Sequence, residues 1–261
     1  MAEALPDPTE SHPAAFSPSF TRDEPAPRRV WGPWASIGWS ALATLVLVGT
    51  QLATLIVYAV ARVLADPKFD FKTLSGDGRL IAVASLLSVP LVLALITLLI
   101  RVRGRQVGDY LALVPASPRA VVLAISGLIL VLAASDGLTI SLGRPIVPPV
   151  MAETILTAPL WLIGLAVVVG APIVEEVLFR GFLYRGLAES PRLGPGIAIG
   201  LTATAWAFMH IQYDLYGVAT IYLMGLYLGL VRHYSGSTTL TILLHGIANT
   251  AATAEAVYFS G

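Results

Sequence analysis

The chain alternates long apolar runs with short polar connections, and the lengths of those runs set the fold. Seven stand out, at residues 36–64, 80–100, 120–142, 155–174, 196–211, 215–231 and 238–254. A helix crossing ~30 Å of hydrocarbon needs about 20 residues. The first four runs reach that length, while the last three lie near the lower limit of ~17, so one of them is open to a re-entrant path. The pattern predicts an all-α fold, a polytopic transmembrane helical bundle of about seven spans, or eight if the long first or third run is split. Ahead of the runs, residues 1–33 are rich in Pro, Ser, Ala and acidic residues with no apolar period. They read as a disordered cytoplasmic tail. The first apolar run starts too late and runs too long for a secretory signal. Phe16 and Phe20 are candidates for a short recognition motif.

Composition agrees with the pattern. Hydrophobic residues make up 56% and charged residues 12%, with mean hydropathy +0.78, against roughly 45–50% and ~25% in soluble domains. The chain is expected to be an integral membrane protein. Its zero formal net charge argues against a nucleic-acid partner and against a basic membrane-surface patch. The absence of cysteine removes disulfides, thiolate catalysis and Cys-ligated metal. Four His remain: His12, His210, His233 and His245.

Orientation follows from where the basic residues fall. Eleven Lys and Arg residues collect on the side of the amino terminus: Arg22, Arg28, Arg29, then Arg101, Arg103, Arg105, Arg119, then Arg180, Arg185, Arg192 and finally Arg232. Five fall on the other side: Arg62, Lys68, Lys72, Arg79 and Arg144. The amino terminus is therefore expected in the cytoplasm, with the end of the fourth run, at Glu175 and Glu176, toward the cytoplasmic face.

Candidate chemistry lies where charge interrupts apolar sequence. Residues 160–174 are apolar, glycine or proline, and Glu175, Glu176 and Arg180 follow. A charge at bilayer depth costs about 2.5–3.5 kcal/mol on insertion scales, so two carboxylates there call for a use. Glu176 and Arg180 are four apart and can pair on one helix face, while Glu175 is turned by about 100° and can point elsewhere. A paired Glu176 suits a structural role. An unpaired Glu175 in a partly dry cavity suits general acid–base work. A buried salt bridge locking the bundle accounts for Glu176 and Arg180 but leaves Glu175 unexplained. Pro172 removes a backbone donor just upstream, which predicts a kink and a freed carbonyl in need of a polar neighbour.

His210 ends the fifth run in Trp206-Ala-Phe-Met-His210, where an interfacial anchor is the bland alternative. His245 lies within the seventh run, with Asn249 one turn on and on the same face. The pair serves either as interhelical glue or as donors to a developing oxyanion. His233 beside Arg232 reads as solvated. Asp136 beside Gly137 reads as a cap at a helix break, and Gly225-x-x-x-Gly229 reads as close packing within the monomer in preference to a dimer face. Taken together, a glutamate pair, a histidine, and a histidine with an asparagine on three spans supply a base for water, a polarising imidazole and oxyanion donors. That is an inventory for hydrolysis inside a membrane.

The order Glu-Glu-x-x-x-Arg, aromatic-x-x-x-His and His-x-x-x-Asn on successive apolar spans resembles the CPBP family of intramembrane proteases. This group comprises type II CAAX prenyl endopeptidases and bacteriocin-processing or immunity enzymes, also called the Abi family. The resemblance covers residues 155–254 and implies three parts: 1–33 a tail, 34–150 amino-terminal transmembrane helices, and 151–261 a catalytic transmembrane core. It implies that Glu175 activates water, with Glu176 and Arg180 completing the first motif. It further implies that His210 belongs to the second motif and that His245 and Asn249 hold the oxyanion. Trp206 departs from the family's usual Phe, which touches pocket shape.

The family has carried a metalloprotease label, and Glu175, His210 and His245 would supply three ligands to a divalent metal such as Zn with one open position. No His-Glu-x-x-His is present, and a metal-free route uses the same residues. The expected substrate is a membrane-tethered or hydrophobic peptide, in a bacterial inner membrane. The competing classes are a proton-coupled transporter, which the clustering of charge at one depth and the lack of an inverted repeat disfavour, and a non-catalytic scaffold or immunity protein.

Overall fold

The computed structural model describes residues 31–74 and 76–260. Phe16, Phe20 and His12 therefore lie outside the described residues, as does most of the expected tail. The fold is all-helical among the described residues, as the apolar periodicity requires. Its elements are α1 (Pro33–Ala65), α2 (Gly78–Val102), the short α3 (Val107–Leu111), α4 (Pro118–Ser141), the short α5 (Pro149–Leu156), α6 (Leu160–Ala188), α7 (Gly194–Phe208), α8 (Leu215–Ser235) and α9 (Thr238–Ser260). α1, α2, α4, α6 and α8 are long and apolar enough to cross a membrane.

Among the described residues, five of the expected seven or eight spans meet the length and hydropathy of a crossing helix, and α7 and α9 do not. α7 has 15 residues, which at 1.5 Å per residue is about 22 Å, short of the hydrocarbon thickness. α9 has length enough, with 23 residues, but Thr238, Thr239, Thr241, His245, Asn249, Thr250, Thr253 and Glu255 lower its hydropathy. Neither α1 nor α4 is split. α4 runs on past Asp136 to Ser141, so that residue caps no break; its carboxylate lies within electrostatic reach of Glu255 on α9.

The fourth run is also redrawn. Ile155 belongs to α5, and the chain breaks at residues 157–159, where Pro159 precedes the first turn of α6. α6 then continues well past Val174 to Ala188. Glu175 and Glu176 consequently sit at the middle of a 29-residue helix, about 20 Å, or under four turns, from its carboxyl end.

Hydrogen bonds fix the two ends of the bundle. At one end Thr238 donates through its N–H to Ala112 O (2.9 Å) and through its hydroxyl to Leu111 O (2.6 Å), and Arg185 Nη1 donates to Asp109 O and Tyr110 O, both 2.8 Å. At the other, Gly78 N–H donates to Thr157 Oγ1 at 2.8 Å, Thr139 and Tyr216 share a hydroxyl bond at 2.6 Å, and Arg144 pairs with Asp214. Between them the core gathers on the carboxyl half of α6, where Val177 through Leu183 are all buried. The amino half keeps Leu160, Trp161, Leu165 and Val169 exposed, as a lipid-facing surface would be.

Candidate active site

α6 is not a uniform α-helix. Residues Gly164–Gly170 and Val177–Leu183 are π-helical, and the α-turn Ala171–Glu176 between them carries both glutamates. Single-turn π segments inside helices recur at functional sites. In the first π segment, Ala171 N–H donates to Ala166 O. The next donor in that register would be residue 172, a proline with no N–H. Asn249 on α9 fills the vacancy, its Nδ2 donating to Val167 O at 2.8 Å. The polar neighbour expected for a carbonyl freed by Pro172 is therefore a side chain of the third motif. Gly246 permits the approach, since a Cβ there would stand 3.1 Å from Val168 O.

The adjacent glutamates diverge. Glu176 is fully buried, and its Oε1 accepts from Arg180 Nη1 (2.7 Å) and from His245 Nδ1 (3.0 Å). Glu176 Oε2 and Arg180 Nε have no hydrogen-bond partner among the described residues. Arg180 is equally buried; its Nη2 donates to Gly225 O at 3.0 Å, and its guanidinium lies 4.7 Å from the Trp206 ring centre, a favourable cation–π distance. Gly225 serves twice, because a side chain there would crowd Trp206 Cε3 and Ala203 at 3.1 Å. Gly229 likewise meets Ile199 of α7, so the Gly-x-x-x-Gly face packs within the chain.

Glu175 is only half-buried. Its Oε2 accepts from Trp206 Nε1 at 2.5 Å. Trp206 itself is buried, and both imidazoles pack edge-on against it, His210 at 5.2 Å and His245 at 5.3 Å between ring centres. His210 Nδ1 is 2.9 Å from Trp206 O; a carbonyl only accepts, so Nδ1 carries the proton and Nε2 is left open. By the same logic His245 donates from Nδ1 to Glu176 and keeps Nε2 open. Tyr213 stacks on His210 with ring centres 6.4 Å apart. Burial, and then the negative charge of Glu175, push the Tyr213 phenol above its ordinary range.

All six residues expected from the sequence, Glu175, Glu176, Arg180, His210, His245 and Asn249, therefore collect around one indole and one buried ion pair. Sequence reasoning missed Trp206 as a donor, Gly225 O as the acceptor for Arg180 and Val167 O as the acceptor for Asn249. Only Trp206 carried a signal: it precedes His210 by one turn and places a polar N–H in an otherwise apolar helix. His233 is exposed as expected, yet its Nδ1 is 3.0 Å from Tyr184 Oη. The expected metal set does not fit. Among the described residues no group of three His, Cys, Asp or Glu could hold a metal ion, and this includes Glu175, His210 and His245.

The fold and site define a helical protein, with helices long and apolar enough to cross a membrane, that buries a cluster of ionisable side chains in its second half. Residues 157–251 match the family model described as Rce1-like, Type II CAAX prenyl endopeptidase Rce1-like. That segment, from the end of α5 into α9, carries all six site residues and is consistent with the CPBP family. No curated protein and no solved structure matches the chain.

Proposed function

We propose that the chain is an intramembrane endopeptidase that hydrolyses a peptide bond of a membrane-tethered or hydrophobic peptide. The observation that carries this reading is the divergence of two neighbouring carboxylates at the middle of α6. Glu176 is sealed between Arg180 and His245, while Glu175 is half-exposed with one oxygen held by an indole N–H. In the reaction Glu175 takes a proton from water as the hydroxide oxygen bonds to the scissile carbonyl carbon. It returns that proton to the amide nitrogen as the C–N bond breaks, leaving a carboxylate and an amine.

The histidines divide the remaining work. With Nδ1 committed to a carbonyl, His210 presents Nε2 as an acceptor that helps hold the water. His245 has its Nδ1–H on Glu176, so it donates to an oxyanion only from a protonated Nε2. Asn249 uses one amide N–H on Val167 and retains the other for the oxyanion. No step is routed through a metal. The lipid bilayer delivers the substrate, in a bacterial inner membrane with a cytoplasmic amino terminus, as the basic-residue count favours.

The test is cleavage of a library of membrane-tethered peptides by detergent-purified protein. Wild type is compared with Glu175→Gln and His245→Ala, each with and without a strong chelator. The expected result is cleavage by wild type, loss in both variants and no effect of the chelator. A wild type that cleaves nothing, or a Glu175→Gln variant that cleaves normally, sinks the reading.

A further inference from the structure

Trp206 touches every part of the site. It donates to Glu175, presents its face to Arg180, and receives the edges of His210 and His245. Resting on the endopeptidase reading, we infer that Trp206 is a positioning residue for Glu175: its indole N–H fixes the carboxylate rotamer for the attack on water.

The physical argument starts from freedom. Glu175 is half-buried on the lipid-depth turn of α6, and a carboxylate with one unrestrained torsion samples orientations that cannot meet a water held by His210. An indole N–H is a donor only, and the Trp206 ring is too tightly packed to turn away. It is wedged against Ala203 and Gly225, where even an added Cβ would find a contact at 3.1 Å. The charged and titratable groups around Glu175 are Glu176 and Arg180 on its own helix, His210 and Tyr213 beyond α7, and His245 on α9. Of these, Arg180 spends two of its nitrogens on Glu176 and on Gly225 O, and Tyr213 reaches Glu175 only through its field. Trp206 is thus the direct hydrogen-bond donor to Glu175 among the described residues.

Replacing Trp206 by 3-benzothienylalanine keeps the bicyclic ring, its packing and its face toward Arg180 and exchanges only the N–H for sulfur, whereas Trp206→Phe removes the N–H together with one ring of the indole. With a peptide that wild type cleaves, kcat is expected to fall about tenfold in both variants, with KM of the benzothienyl variant within about twofold. A merely structural tryptophan would leave kcat unchanged in the benzothienyl variant, which keeps the ring and its packing. In parallel, the ultraviolet Raman band of the indole N–H is read as wild type minus Trp206→Phe, and again in a Glu175→Ala background. A band at the position of a strong hydrogen bond that relaxes when Glu175 is removed supports the inference. An unchanged kcat in the benzothienyl variant overturns it, as does a band indifferent to Glu175. If wild type cleaves no peptide, the endopeptidase reading fails separately, and the Raman comparison still decides whether the indole holds the carboxylate.

Discussion

Asn249 on α9 donates from its side-chain amide to the Val167 carbonyl on α6 across 2.8 Å, the acceptor that Pro172 leaves unserved in the π register. A backbone carbonyl without a donor in hydrocarbon costs several kcal/mol, so a polar side chain from the next helix joins α6 to α9 at the turn before the glutamates. The contact places the third motif against the first, and one turn earlier on α9 His245 reaches Glu176.

Replacing Asn249 by Ala is expected to destabilise the protein by about 1–3 kcal/mol, the cost of an orphaned buried acceptor. Pro172→Ala restores a main-chain donor to α6, so the Asn249→Ala cost should shrink in that background. Reversible unfolding of the four proteins in mixed micelles checks this. Equal costs in both backgrounds would show that the amide does not serve the carbonyl freed by proline.

The Glu176–Arg180 pair is fully buried and bonded at 2.7 Å. Arg180→Met leaves an uncompensated carboxylate and is expected to cost about 3–5 kcal/mol. Glu176→Gln combined with Arg180→Met should cost less than the sum of the two single changes, because neither charge is then stranded. The same unfolding measurement gives the coupling, and strict additivity would contradict a direct pair.

At the end of the bundle that holds the turn between α8 and α9, burial pushes the Tyr110 phenol up to about 12 against the pull of the Arg185 charge. The Arg185 guanidinium lies 4.7 Å from the Tyr110 ring centre. The unfolded phenol ionises near ~10, so stability is fully present below that pH and is lost as pH rises toward 12, by about 2–3 kcal/mol. Tyr110→Phe should remove this alkaline dependence, as unfolding followed from pH 9 to 12 would reveal.

Because the chain has no cysteine, single cysteines report sidedness cleanly. Ile211, next to His210, is 74% exposed, and the Arg144–Asp214 pair and the Thr139–Tyr216 bond tie its loop to the far end of α4. Ile211→Cys and Lys68→Cys should react with a membrane-impermeant maleimide from one side, and Arg105→Cys and Arg192→Cys from the other. Labelling of Ile211→Cys and Arg192→Cys from the same side would refute this topology.

The all-helical membrane fold was legible in the apolar runs, since hydrocarbon admits few alternatives to helices. The pairing of Glu176 with Arg180 was legible too, because four-residue spacing is a property of one helix. The divergence of Glu175 followed from the same geometry. Spacing does not record where a helix ends when apolar sequence continues past its charges, so α6 ran on to Ala188 and carried the glutamates to its middle. Nor does local sequence record which helix lies opposite. Only the packing of α7, α8 and α9 on α6 decided that Trp206 donates to Glu175, that Gly225 accepts from Arg180 and that Asn249 serves Val167. These contacts join residues 31, 45 and 82 positions apart, and they form because each buried donor or acceptor in hydrocarbon must find its partner on a neighbouring helix.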